Sequence, residues 1–177
     1  MDRFRFHFVA LLVFLSACSH SHIVSINPDT RGLSLPAYDA DVFAICDPPI
    51  GWQPDPLKKS ASHTHQVWVS PTGLTAYGVI HFNLPLPLGV DLVLWGFMKQ
   101  MKDTEGDATL IRKEWDDKIS GMRFVAEGGK YRIRANLFVE GFEGWAVYAG
   151  TLRDKAINEN ELDMAERARE RTNVGKK

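Results

Sequence analysis

The sequence predicts an α+β fold, an antiparallel sheet flanked by helices. Three observations carry this. Tyr131, Ile133, Ala135, Leu137 and Val139 alternate with Arg132, Arg134 and Asn136, the period of a strand with one face on a core and one in water. Further strand-length runs follow one another between Gly, Pro, Asn and Asp turn signals. Two segments, one in the middle of the chain and one near its end, have helical length and spacing.

The elements follow in order. Residues 41–46 form a short apolar run that stops at Asp47-Pro48-Pro49, since proline cannot donate to a strand ladder. Residues 66–70 and 75–83 flank Pro71-Thr72-Gly73 and read as a hairpin. Residues 88–102 are nearly all apolar through Leu92, Val93, Leu94, Trp95, Phe97, Met98 and Met101, which predicts a helix buried against the sheet. The acidic loop 103–107 ends it. Strands are then expected over 108–114, 119–126 and 131–140, with Gly128-Gly129 turning between the last two, and over 145–152 after Glu143-Gly144. The last helix opens at Asn158, where an Asn and Glu161 three residues apart fit a capping box. Its stripe is Leu162, Ala165 and Ala168, and Asp163 and Arg167 stand at ion-pair spacing.

The organisation of the chain is set by its start. Arg3 and Arg5 precede an apolar run over residues 6–15, interrupted by His7, and Leu15-Ser16-Ala17-Cys18 follows. The run has the length of a signal-peptide core and is too short to span a bilayer. A large aliphatic residue three places before a cysteine resembles the lipobox of bacterial lipoproteins. That resemblance implies a signal peptide over 1–17, lipidation at Cys18, and a protein held extracytoplasmically at the cell envelope, where two or three acyl chains give stable attachment. Ser19, in place of an Asp, favours the outer membrane where there are two. Residues 18–36, rich in Ser, Asn, Pro and Gly, read as a flexible tether. Residues 37–177 then hold a single globular domain, a size that supports one core.

Composition excludes some functions. Without Asp2, Arg3 and Arg5 the chain has 19 basic against 21 acidic residues, and no basic stripe suits a nucleic acid. Lipidation of Cys18 leaves Cys46 without an intramolecular partner, which reads as a small buried apolar residue, with an intermolecular disulfide or a reactive thiol as alternatives. No G-x-S-x-G turn, phosphate-cradling glycine loop or zincin helix occurs. The chain reads as no enzyme, and no cofactor is expected.

Three constellations remain as candidate sites. His63 and His65 lie two apart, and a three-residue loop at Pro71-Thr72-Gly73 pairs His63 with His81. Three imidazoles on one face suit zinc or copper, and a one-residue change of register turns His81 to the other face. Arg123, Arg132 and Arg134 on neighbouring strands form a candidate for a carboxylate or phosphate; pairing with Glu127 or Glu140 on a solvated face is the alternative. Ile50, Trp52 and Trp95, with Pro49, form a candidate apolar surface for a partner or the bilayer; tryptophans in the core are the alternative.

A short strand with Phe43-Ala44-Ile45, then Pro49-Ile50-Gly51-Trp52, a hairpin, a long helix, several antiparallel strands and a terminal helix is similar to the Mog1/PsbP-like α/β/α sandwich family over about residues 42–174. The resemblance implies a non-catalytic domain that binds or assembles with a protein partner. The function expected is therefore that of an anchored binding or assembly module with a protein partner at the envelope. The alternative is a metal or small-anion binding protein, or a hydrolase, built on His63, His65 and His81.

Overall fold

A computed structural model describes residues 36–175. It contains two antiparallel sheets and two helices, the α+β class expected. The chain runs through β1 (Ala37–Asp39), β2 (Ala44–Cys46), β3 (Gln53–Pro54), β4 (Lys58–Lys59), β5 (His63–Val69), β6 (Thr75–Asn83) and α1 (Val90–Glu105). It continues through β7 (Thr109–Asp116), β8 (Gly121–Gly128), β9 (Tyr131–Glu140), β10 (Glu143–Leu152), α2 (Glu159–Arg171) and β11 (Asn173–Val174). The large sheet has the order β3-β5-β6-β10-β9-β8-β7, with β4 also paired to β5, and the small one the order β1-β2-β11.

Both faces of the large sheet are covered. On one, Val67, Ile80, Phe124, Ile133, Leu137 and Tyr148 meet Val93, Leu94 and Met101 of α1. On the other, Tyr77, Val79, Val147 and Ala149 meet Leu162, Ala165 and Ala168 of α2, together with Val42, Ala44, Cys46 and Trp52. The small residues of the α2 stripe let the helix lie close to β10 and β6, as their spacing predicts. Asn158 caps α2 by accepting from the Glu161 amide at 3.3 Å. The Glu161 carboxylate does not turn back to complete the box. It reaches the β5–β6 turn instead, accepting from the Thr72 hydroxyl at 2.6 Å and the Thr72 amide at 3.3 Å.

Two expectations change. The run 41–46 is broken: Asp39 accepts from the Asp41 amide at 2.9 Å and Phe43 takes φ 48°, so the chain turns between β1 and β2. The α1 helix is not buried all round. Its closest approach is to β8 and β9, where Phe97 stands edge-on to Phe124 at 5.4 Å. Leu92 and Trp95 remain 52% and 63% exposed.

Candidate functional site

Because α1 lies nearest β8 and β9, a cleft of about 270 Å³ stays open between the helix and the β5–β6 end of the sheet. Ile80 and Phe82 line its sheet side, and Leu84, Leu88, Leu92 and Val93 its helix side. Trp95 and Lys99 stand at its mouth, with the Lys99 ammonium 2.6 Å from Asp103 one turn on. His63 and His65, Ser62, Asn83 and Gln100 are its polar lining.

The two histidines are on this face because β5 alternates, and both are held neutral. His63 is half-buried and its Nδ1 lies 2.8 Å from the Ser60 hydroxyl; burial lowers its pKa. His65 is fully buried, and burial, with the nearby Lys58 charge adding to it, pushes its pKa down to about 3. Its Nε2 lies 2.7 Å from the Tyr148 hydroxyl. Tyr148 reaches it diagonally across β6, over Gly78, where a Cβ would stand only 2.5 Å from the tyrosine ring. A neutral imidazole under an apolar cleft presents hydrogen-bonding atoms without a charge to desolvate.

Gly96 lines the cleft from within α1. Glycine in a helix interior costs about 1 kcal/mol relative to alanine. A Cβ at this position meets nothing within 4 Å, so packing against a neighbour is no reason for it. What its lack of side chain leaves is space in the cleft.

The expected three-histidine face does not form. His81 pairs with Thr64, while His63 pairs with Phe82 and His65 with Ile80, so His81 points to the opposite face of the sheet. The cause is the turn. Ser70 pairs with Thr75 through its amide at 2.9 Å, and Leu74 joins the link with its amide on the Thr72 hydroxyl. The loop thus has one residue more than Pro71-Thr72-Gly73 alone, which reverses the face of every residue on β6 relative to β5. His81 is packed between Phe43 and Trp145 at ring distances of 4.8 and 5.3 Å, with Glu143 3.9 Å away. Among the described residues no group of three or more His, Cys, Asp or Glu is placed to hold a metal.

The arginines do share a face, and carboxylates occupy it. Arg132 meets Glu127 at 3.0 Å and Arg134 meets Glu166 at 3.3 Å. Arg123 bridges Asp116 and Glu170, each at 2.5 Å, and its hydrogen bond holds the Glu170 carboxyl below its usual range. Arg169, buried on α2, joins Glu166, Glu170 and the Asn136 side chain. The basic face is thus a staple between α2 and the sheet, and an incoming anion would have to displace carboxylates already bound there.

The three residues of the expected apolar surface are separated. Trp52 is buried in the α2-side core, its amide bonded to the Pro49 carbonyl at 3.2 Å. Ile50, in the loop beside it, is 65% exposed. Trp95 belongs to the cleft on the other side of the sheet. Cys46 is buried beside Tyr77, and burial, with Asp39 adding to it, pushes its thiol up to about 12. Cys18, with the leader and tether around it, lies outside the described residues.

No sequence signal announced the cleft as such, although three residues singled out for other reasons, His63, His65 and Trp95, line it. Comparison with protein-family models, with curated proteins and with solved structures returns no match to this chain.

Proposed function

We propose that this chain is a lipid-anchored, extracytoplasmic binding module, held at the cell envelope through Cys18, and that the cleft beneath α1 is its binding element. The observation that carries the reading is the cleft itself: apolar walls, a floor of two neutral imidazoles, and an entrance marked by exposed Leu92 and Trp95. Such a site is concave and mostly apolar with a few placed polar groups, as binding pockets are, and its volume of about 270 Å³ falls just below their usual range of roughly 300–1,000 Å³. We read the chain as binding rather than catalysing: the imidazoles of His63 and His65, hydrogen-bonded to the Ser60 and Tyr148 hydroxyls, are kept neutral by burial and serve as the polar floor of an apolar cleft. The domain is of the Mog1/PsbP-like type; a helix on each face of one antiparallel sheet, and a short strand followed by Pro49-Ile50-Gly51-Trp52, support that assignment. No helix among the described residues is long and apolar enough to cross a membrane.

Two measurements test this. Cells grown with alkynyl palmitate label the wild-type chain and not Cys18→Ala, and only the wild type sediments with membranes; labelling of both, or of neither, contradicts the anchor. The full chain binds the uncharged dye Nile red saturably, one per chain, and Gly96→Leu removes that binding. Dye binding that ignores Gly96→Leu contradicts the cleft.

A further inference from the structure

We propose that the cleft takes up the end of an acyl chain from a bilayer lipid, with Leu86, Leu92 and Trp95 seated in the membrane interface around its mouth. This rests on the reading of the cleft as the binding element and names its occupant.

The chemistry of the walls selects a hydrocarbon. A peptide segment entering the cleft would bring an amide and a carbonyl at every residue, each needing a partner once water is gone. The lining offers few: Ser62, Asn83, Gln100 and the two histidines, of which His63 and His65 already bond Ser60 and Tyr148. An acyl chain brings none. A charged ligand fares worse, because both imidazoles are neutral and the one cation in the lining, Lys99, is at the mouth and bonded to Asp103. An apolar cavity of roughly 150 Å³ accepts a benzene ring, so about 270 Å³ accommodates on the order of ten carbon atoms, the distal part of a lipid chain.

The surroundings select a bilayer as its source. Leu86, in the loop that enters α1, is 52% exposed, as is Leu92, and Trp95 is 63% exposed. Phe142, 59% exposed, sits on the β9–β10 turn whose carbonyl receives the Leu84 amide at 2.7 Å. Large apolar side chains gathered round an apolar opening mark an interaction surface. Tryptophan with a lysine one turn away is the pairing that suits headgroup depth, the indole at the boundary and the ammonium in water. A domain tethered to a membrane meets that surface continually. Gly96 supplies the remaining piece, since it lines the cleft and carries no side chain to occupy it.

The test uses the lipidated protein reconstituted in phosphatidylcholine vesicles that contain a trace of phosphatidylcholine bearing a diazirine near the end of one acyl chain. Irradiation gives a lipid adduct on the peptides spanning residues 84–100. A Cβ at Gly96 meets no neighbour and replacing a helical glycine raises helix propensity, so Gly96→Leu is expected to keep the fold, checked by circular dichroism, while its side chain takes up space in the cleft. Its adduct yield falls at least tenfold. Gly96→Ala, which fills one methyl's worth, lowers it by about fourfold, the value of one buried methylene. An adduct spread evenly over the surface, or one unchanged by Gly96→Leu, overturns the proposal. Labelling of the cleft by soluble decanoylglycerol but not by vesicle lipid overturns the bilayer as its source. If Nile red still enters the cleft while no lipid adduct forms there, the occupant is wrong and the binding element stands.

Discussion

His65 on β5 and Tyr148 on β10 are hydrogen-bonded at 2.7 Å across the strand between them. The bond exists because Gly78 on that strand has no side chain to fill the space the tyrosine ring takes. It fixes the floor of the cleft: a buried imidazole with its Nε2 satisfied from below and no charge. Burial also raises the Tyr148 hydroxyl well above its ordinary range, so both partners are neutral near pH 7 and the pair holds its geometry there without a counter-ion.

The first prediction concerns pH. His65 has its pKa lowered in the folded state, from 6.5 to about 3, so the unfolded chain binds the extra proton first. Stability from this group is fully present above pH 6.5 and is lost as pH falls from there toward 3. The slope approaches about 1.4 kcal/mol per pH unit for a single group. Urea unfolding at pH 7, 6, 5 and 4 is expected to show that decline, and His65→Gln to flatten it. An unchanged slope in the variant would mean that another group sets it.

Removal of the hydroxyl tests the pair directly. Tyr148→Phe leaves the ring in place over Gly78 and takes away the partner of His65 Nε2, at a cost of about 1–3 kcal/mol for an unsatisfied buried group. Gly78→Ala is expected to cost more, because its Cβ overlaps the tyrosine ring and overpacking in a tight core costs about 1–3 kcal/mol before the hydrogen bond is counted. Denaturation midpoints of the two variants check the order.

Arg169 is the centre of the ionic staple on the other face. Its guanidinium is buried and bonded to Glu166, Glu170 and Asn136. Arg169→Ala is expected to destabilise by about 1–3 kcal/mol, because it leaves the buried Asn136 amide oxygen without this donor and takes one of two cationic partners from each of Glu166 and Glu170. Arg167→Ala, which loses only an exposed pair with Asp163, is expected to cost less than about 1 kcal/mol. Thermal unfolding of the two distinguishes a structural staple from a solvated charge cluster.

Cys46 is expected to be inert. Its thiol is buried and pushed up to about 12, so almost no thiolate exists at pH 8 and none is accessible. A maleimide should label it only in denaturant, in the wild type and in Cys18→Ala alike. Rapid labelling of the folded protein would contradict the packing of Cys46 against Tyr77.

Much of the fold was legible because its signals are local. The bounds of β6 and β9 follow from alternation and from the turn residues on either side, and α2 from its cap and small-residue stripe. The site was legible only in pieces. One residue of turn length decides which face His81 occupies, and that length depends on Leu74 joining the link while Glu161, from the far end of the chain, holds Thr72. Trp52 and Trp95 have the same side chain and opposite fates, because one is covered by the α2 layer and the other stands where α1 diverges from the sheet. The separation between α1 and the β5–β6 end is a distance between elements, and no periodicity along the chain encodes it. The two-residue strand β11, which closes on β2, is likewise set by tertiary pairing alone.

The most direct measurement places a benzoylphenylalanine at Leu92, at the mouth of the cleft, or at Lys155, exposed on the β10–α2 loop, in the full-length protein in intact cells. Irradiation is expected to give a discrete added mass at position 92, absent at position 155 and lost when Gly96→Leu is introduced alongside. Equal products at both positions, or a product at 92 that survives Gly96→Leu, would contradict the cleft as the binding element of this module.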